Sequence, residues 1–263
     1  MDTTGIKYVV KGDGPTLVLV HGFPFDKRIW KEQVDGLADI ARVYAIDLPG
    51  FGQSAPLPTS VLPSIDSYAD AIAAWVREMG LERKIVLAGH SMGGYVALEF
   101  ARQYADMLAG LALVSTRPGP DTKVAKENRG RLAEDVRMRG PLAVVVGMLT
   151  KLFAAGTVGR DPGLADRLRD IMMQQSNDAI IRALHSMAAR PGRATVLRRI
   201  RVPVLVIAGN EDAVIPSSEG EGMAARMPKS RRTLTIIEGV GHMPMMENPA
   251  EFNAALREFM TRR

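Results

Sequence analysis

Short runs of apolar residues, separated by longer amphipathic stretches, dominate the hydrophobic pattern of this sequence. Each run is four or five residues long, which suits a strand buried on both faces better than a helix. Most of the runs end in a turn signal or a polar residue, such as HG, DLPG, GHS or GNED. The predicted strands are residues 6–10, 17–20, 43–46, 85–88, 111–114, 204–208 and 234–237.

Helical patterns lie between many of these strands. They cover residues 30–37, 67–80, 95–104, 217–227 and 249–260. The last helix is predicted to begin at Pro249, after Asn248 as its N-cap. Because strands alternate with helices, the pattern predicts an α/β fold with a mostly parallel central sheet and helices on both faces.

One long segment, residues 118–200, breaks this alternation because it contains no convincing strand. Its helical patterns cover residues 122–139, 141–153, 161–175 and 177–190. Helices inserted between two strands are predicted to form a cap over the carboxyl edge of the sheet, where open α/β sheets bind ligands. We therefore expect residues 1–117 and 201–263 to form the core and residues 118–200 to form a helical cap.

The composition narrows the possible chemistry. The 263 residues are 46% hydrophobic and 24% charged, which suits one α/β domain with an insertion. The absence of cysteine excludes disulfides, thiolate catalysis and cysteine-based metal sites. With only four histidines and no H-E-x-x-H, neither a metal nor another cofactor is predicted. No signal-peptide core or membrane-length apolar run is visible, so we expect a cytoplasmic protein with no membrane partner.

The charge is unevenly distributed. The chain carries a net charge of +5, yet the segment from Arg117 to Arg201 alone has 17 Lys and Arg against 8 Asp and Glu. A basic segment could attract an acidic substrate, or it could be a set of solvated helix faces. Aromatic residues are scarce and the arginines alternate with acids, so no nucleic-acid partner is predicted.

The stretch from Gly89 to Gly93 fits the pattern G-x-S-x-G. It directly follows the predicted strand 85–88 and directly precedes a helix, which is the setting of a nucleophile elbow. Ser91 in such a strained turn needs neighbours without a Cβ atom, and the helix N-terminus favours developing negative charge there. The alternative is a glycine-rich loop that merely contains a serine.

A serine hydroxyl needs a base and the base needs an orienting acid. His242 lies in a loop after the last predicted strand, from which it can reach across the carboxyl edge, so we predict it as the base. His90 is predicted to pack beside the turn, and His185 is predicted to be structural. Asp212, which follows another strand, is the predicted acid, with Glu211 as the alternative.

An oxyanion also needs hydrogen-bond donors. One is predicted to be the backbone N–H of Met92, directly after the serine. The stretch HGFP at 21–24 follows the strand 17–20, and the N–H of Phe23 is the predicted second donor. Taken alone, HGFP is also compatible with a plain turn between a strand and a helix.

Four stretches together resemble the α/β-hydrolase fold superfamily in its serine-nucleophile branch. They are HGFP at 21–24, DLPGFGQS at 47–54, GHSMGG at 89–94, and GNEDAVIP with GVGHMPMMENP near the end of the chain. The resemblance implies a catalytic triad of Ser91, Asp212 and His242, oxyanion roles for Phe23 and Met92, and a helical cap. The family usually has a hairpin before the HG strand, so its first strand is expected to be missing or very short here.

The stretch LVSTRPGPDT resembles the branch that contains small carboxylesterases and 3-oxoadipate enol-lactonases. The expected reaction is hydrolysis of a small-molecule carboxylic ester or lactone through an acyl-enzyme on Ser91. His21, Gly22, Met148 and Met243 are predicted to line the substrate pocket, where methionines would give an adaptable apolar surface; core packing is the alternative. A carbon–carbon bond hydrolase, a perhydrolase, a lyase and a non-catalytic ligand-binding relative remain alternatives.

Overall fold

A seven-stranded sheet forms the centre of the computed structural model, which describes residues 4–58, 64–81 and 84–262. The strand order is β1-β3-β2-β4-β5-β6-β7; β1 runs antiparallel to β3 and all other neighbours are parallel. All seven predicted strands are confirmed, with ends shifted by at most three residues. The strands are β1 (Tyr8–Lys11), β2 (Thr16–Val20), β3 (Arg42–Ile46), β4 (Ile85–His90), β5 (Leu108–Val114), β6 (Val204–Gly209) and β7 (Arg232–Ile237).

The centre of the sheet is buried on both faces. Strands β4 and β6 are buried along their whole length, and β5 along nearly all of it. This burial explains why their sequences are continuous apolar runs rather than alternating ones. The edge strands β1 and β7 are much more exposed. Strands β2, β4, β5, β6 and β7 run parallel to one another. Their carboxyl ends, and the loops that follow them, therefore lie along one edge of the sheet.

Among the described residues, six helices flank the sheet outside the inserted segment. They are α1 (Lys31–Gly36), α2 (Ile65–Glu78), α3 (Met92–Gln103), α10 (Ser217–Ala225), α11 (Pro244–Glu247) and α12 (Pro249–Thr261). Helix α12 begins at Pro249 as predicted, and the side chain of Asn248 accepts a hydrogen bond from the Glu251 N–H. Helix α3 begins three residues earlier than predicted, because Gly93 and Gly94 weaken the helical signal where the turn requires them.

The segment between β5 and β6 consists of helices joined by short turns and loops, and none of its residues from 115 to 203, all of them described, forms a strand. Its helices are α4 (Lys123–Arg139), α5 (Leu142–Met148), α6 (Thr157–Arg160), α7 (Gly163–Met173), α8 (Asn177–Ala189) and α9 (Ala194–Arg199). The single helix predicted over 141–153 is wrong in extent, since α5 ends at Met148 and a short 3-10 turn follows. The N–H of Arg193 donates to the carbonyl of Pro118 (2.7 Å), so both ends of the insertion lie side by side.

Many basic side chains of the insertion are paired with acids. The fully buried Asp121 carboxylate contacts three arginines, namely Arg117 (2.9 Å), Arg129 and Arg190 (2.8 Å). These arginines come from the segment before α4, from α4 and from the end of α8, so one carboxylate joins three parts of the insertion. In the ranges described, no helix is long and apolar enough to cross a membrane.

Candidate active site

Ser91 lies in the turn between β4 and α3 with φ 51° and ψ −113°. A positive φ is unfavourable for a residue with a side chain, so neighbouring groups must hold this conformation. The Ser91 N–H donates to the Val114 carbonyl (2.9 Å), and the Thr116 hydroxyl donates to the Ser91 carbonyl (2.8 Å). The adjacent strand β5 and the residues just after it therefore fix the turn on both sides of the serine.

The glycines around Ser91 are required by close packing. A Cβ atom on Gly89 would collide with the carbonyl of Gly93, and one on Gly93 would lie 2.5 Å from the Val20 carbonyl oxygen. Because only glycine fits at these positions, the turn is tight and rests directly on the end of β2. The serine turn and the HGFP loop after β2 are therefore in direct contact.

Three side chains form one hydrogen-bonded chain at the carboxyl edge. The Ser91 Oγ lies 3.0 Å from His242 Nε2, and His242 Nδ1 lies 2.8 Å from Asp212 Oδ2. An ionised carboxylate can only accept, so His242 carries its proton on Nδ1 and leaves Nε2 free to accept from the serine hydroxyl. Asp212 and His242 are buried, whereas Ser91 is partly exposed.

The second oxygen of Asp212 is also occupied. Its Oδ1 accepts hydrogen bonds from the backbone N–H groups of Val214 and Ile215, both at 2.8 Å. These two bonds fix the rotation of the carboxylate and point Oδ2 at the histidine. Glu211, the alternative acid, is exposed to solvent instead, so the structure brings Asp212 to His242 and not its neighbour.

The other histidines have different environments. The fully buried His90 donates through Nε2–H to the carbonyl of His242 (2.8 Å), and burial, reinforced by the nearby His242, holds the pKa of His90 well below its ordinary value. His21 donates through Nδ1–H to the Gly22 carbonyl (2.8 Å), and burial lowers its pKa. Burial therefore disfavours the charged form of both rings. His185 is exposed on α8.

The two predicted oxyanion donors lie next to the serine turn. Met92 is the first residue of α3, and Phe23 lies in the loop that follows β2. Within the described ranges, neither backbone N–H donates a hydrogen bond to another residue. Both N–H groups therefore lack an acceptor within the described part of the protein, as an oxyanion donor would.

The predicted pocket residues are mostly enclosed. His21 and Met243 have no exposed surface, and Gly22 is also buried. The Nε2 atom of His21 accepts from the Leu48 N–H (2.9 Å), which, with its bond to Gly22, satisfies both ring nitrogens. The pocket roles of His21, Gly22 and Met243 stay predictions. Met148, at the end of α5, is partly buried and remains a predicted pocket residue.

The sequence patterns missed a polar residue that joins the insertion to this edge. Gln175, after α7, is buried; its Nε2 donates to Asp26 (3.0 Å) and its Oε1 accepts from the Gly52 N–H (2.9 Å). It therefore contacts the loops after β2 and after β3 at once. A lone glutamine at the end of a helix carries no sequence signature. Among the described residues, no three His, Asp or Glu side chains gather as a metal site requires.

This chain is similar in sequence and in fold to known proteins. Residues 17–255 match the sequence model of the alpha/beta hydrolase family. The chain is 31% identical to the dihydrolipoyllysine-residue acetyltransferase component of the acetoin cleaving system of Cupriavidus necator, over 99% of this chain and 67% of that protein. It is 27% identical to the pimeloyl-[acyl-carrier protein] methyl ester esterase of Aeromonas hydrophila, over 95% of this chain and 96% of that protein.

Solved structures of similar proteins include esterases and a lactonase. A thermophilic esterase from Thermogutta terrifontis is 38% identical, with a TM-score of 0.94 over 98% of this chain and 93% of that chain. The enol-lactonase from Burkholderia xenovorans LB400 shares the fold at 23% identity, with a TM-score of 0.88 over 97% of this chain and 96% of that chain. By sequence model and by structure, this chain belongs to the alpha/beta hydrolase family.

Proposed function

We propose that the chain is a serine hydrolase that cleaves small carboxylic esters or lactones. The observation that carries the proposal is the continuous hydrogen-bonded chain from Ser91 through His242 to Asp212. Its serine stands in a strained turn at the start of a helix, where an esterase nucleophile is expected. The similarity to the Thermogutta terrifontis esterase supports an ester as the substrate.

The proposed reaction proceeds through an acyl-enzyme. Ser91 Oγ attacks the carbonyl carbon of the ester while His242 Nε2 accepts the hydroxyl proton, and Asp212 stabilises the resulting imidazolium. The N–H groups of Phe23 and Met92 stabilise the tetrahedral oxyanion. His242 then protonates the departing alcohol. In the second half, His242 activates a water that attacks the acyl carbon, and the acid leaves as Ser91 regains its proton.

We further propose that residues 118–200 form a cap that helps to shape the substrate site, over a core of residues 1–117 and 201–263. The contacts of Gln175 with the loops after β2 and β3 support this division. Helix α9 packs against α3, so the last residues of the insertion lie against the core. Met148 is the proposed pocket residue on the cap side.

Turnover of p-nitrophenyl acetate tests the proposed reaction. Ser91→Ala should lower kcat by at least about a thousandfold, because the nucleophile is lost. Ser115→Ala is the matched control: Ser115 follows the neighbouring strand β5, is buried, and its hydroxyl has no hydrogen-bond partner among the described residues. It should keep nearly the wild-type rate. Equal rates for wild type and Ser91→Ala would show that Ser91 is not the nucleophile.

A further inference from the structure

Glu247, five residues after His242, binds the backbone on both sides of that histidine. Its Oε1 accepts hydrogen bonds from the N–H of Gly241 (2.8 Å) and the N–H of Met243 (3.1 Å). The other oxygen faces the insertion: Oε2 accepts from the Ala154 N–H (2.9 Å) and from the Thr157 hydroxyl (2.6 Å). One carboxylate therefore connects the histidine loop to the segment between α5 and α7.

These four contacts use the full acceptor capacity of the group. An ionised carboxylate has about four lone-pair directions, and each of them meets a donor here. No Lys, Arg or His nitrogen lies within ion-pair distance of Glu247 in the described part of the chain. The carboxylate is thus held by N–H and O–H dipoles rather than by a countercharge, which makes its geometry more restrictive than that of a surface ion pair.

The backbones that Glu247 joins are also in direct contact. The His242 N–H donates to the Leu152 carbonyl (2.9 Å), so the histidine itself is bonded to the insertion. A Cβ atom on Gly241 would lie only 2.7 Å from the Ala154 nitrogen, which leaves room for glycine alone. Residues 152–157 and residues 241–243 therefore pack as one unit, with the Glu247 carboxylate between them.

We propose that Glu247 is a positioning residue for His242, and that through it residues 152–157 of the insertion keep the histidine in line with Ser91. The inference rests on the proposed role of His242 as the base. Proton transfer between Ser91 and His242 requires a hydrogen bond of ordinary length, and small displacements of a reacting group are costly to the rate. The hydrogen bonds of Glu247 reach none of the side chains of Ser91, His242 and Asp212, so its effect passes through the backbone of residues 241–243.

The chemistry of the Glu247 side chain suggests substitutions that each remove particular hydrogen bonds. In Glu247→Gln one oxygen remains an acceptor, but the NH₂ group is a donor and must face either the Gly241 and Met243 amides or the Ala154 amide and Thr157 hydroxyl. The variant therefore loses the hydrogen bonds on one side of the carboxylate but keeps the shape of the side chain. Glu247→Asp keeps the charge but is one methylene too short to reach both sides. Thr157→Val removes the hydroxyl on the insertion side, together with the hydrogen bond that this hydroxyl accepts from Arg160 (3.1 Å).

The experiment measures hydrolysis of p-nitrophenyl acetate by the full-length chain, expressed per active site. The number of sites is the end-point of labelling with a fluorophosphonate, so unfolded molecules do not count. Glu247→Gln and Glu247→Asp should each lower kcat per labelled site by about fivefold or more, with KM changed by less than about threefold. Glu258→Gln, an exposed glutamate on α12, is the matched control and should match wild type.

A kcat per labelled site in Glu247→Gln within less than about fivefold of wild type would overturn the proposal, as would full activity of Glu247→Asp. If the Glu247 variants give no labelled protein, Thr157→Val tests the proposal instead. A fall in kcat of about twofold or more supports the positioning role of Glu247, and a smaller fall overturns it. Failure of the proposed function is distinguishable, because wild type itself would then show no turnover that depends on Ser91.

Discussion

At the scale of single residues, Asp212 uses its two oxygens for different tasks. Oδ1 is held by the N–H groups of Val214 and Ile215, and Oδ2 accepts from His242. The two backbone bonds require an acceptor at Oδ1. Any side chain that replaces Asp212 without disturbing the fold must therefore keep an oxygen there, and whatever occupies the Oδ2 position decides which nitrogen of His242 carries the proton.

Asp212→Asn is expected to change the tautomer of His242, so that the proton moves from Nδ1 to Nε2. The amide oxygen should remain with Val214 and Ile215, so the NH₂ group faces His242 Nδ1, which must then accept and leave the proton on Nε2. A protonated Nε2 cannot take the Ser91 proton, and kcat should fall by about 10³-fold or more with little change in KM. Steady-state kinetics of p-nitrophenyl acetate hydrolysis measure both kcat and KM.

Glu211→Gln is the control for that variant, because Glu211 is adjacent but exposed. It should retain the wild-type kcat within about twofold, as expected of a surface change away from the reacting groups. If Asp212→Asn were as active as Glu211→Gln, the orientation of His242 by Asp212 would not matter to the reaction.

The residues of the candidate site were not equally predictable from the sequence. Ser91, His242 and Asp212 could be proposed as one set because each follows a strand, and the strands were readable from their apolar runs. Glu247 and Gln175 could not, since Glu247 reaches the Ala154 amide and Gln175 reaches the Asp26 carboxylate, both far away along the chain. Hydrogen bonds of this kind leave no periodicity or spacing in the sequence. The hydrogen bond from the Leu48 N–H to His21 likewise joins residues that only the folded chain brings together.

At the scale of elements, the insertion is held together by the buried carboxylate of Asp121. Burial alone would raise the pKa of Asp121, but the hydrogen bonds and charges of Arg129 and Arg190 outweigh burial and lower it below the ordinary value of 3.8. A lowered folded-state pKa stabilises the fold above the ordinary pKa, and that stabilisation is lost as the pH falls through the lower folded-state value.

Asp121→Asn should therefore destabilise the protein at neutral pH by about 3 kcal/mol, because the nearly fully buried Arg190 loses its charged partner. Urea unfolding at several pH values checks this, and the difference from wild type should shrink in acid below pH 3.8. Asp135→Asn removes an exposed partner of Arg139 and should change stability by less than about 1 kcal/mol. A difference in the free energy of unfolding between wild type and Asp121→Asn that does not change with pH would contradict this expectation.

Short elements of the insertion and of the carboxyl edge escaped prediction for a physical reason. Helices α6, α9 and α11 have only four to six residues. Such helices are unstable alone and form because tertiary contacts hold them, so their sequences need no strong helical pattern. The long, amphipathic helices such as α7 and α8 were predictable since they bury one face and expose the other.

At the scale of the whole molecule, the sheet and the insertion share one continuous apolar core. Buried residues of α7 and α8, such as Leu168 and Ile180, belong to the same cluster as the central strands. Both tryptophans, Trp30 and Trp75, lie outside the insertion and are fully buried. Their fluorescence therefore reports on the sheet side alone, whereas the helical circular dichroism signal includes the insertion.

Thermal unfolding followed by these two signals should give coincident transitions, because a shared core makes the insertion and the sheet unfold together. The helical signal should not melt ahead of the tryptophan signal in wild type. Two separated midpoints, with the helical change first, would show instead that the insertion is an independently folding unit.

The central claim is that Ser91 is a nucleophile activated by His242, and covalent capture tests it most directly. The protein is treated with a fluorophosphonate, and the modified peptide is identified by mass spectrometry. We expect one adduct per chain, on the peptide containing Ser91, and no adduct in Ser91→Ala. An adduct on another residue, or no adduct in a wild-type protein that hydrolyses p-nitrophenyl acetate, would contradict it.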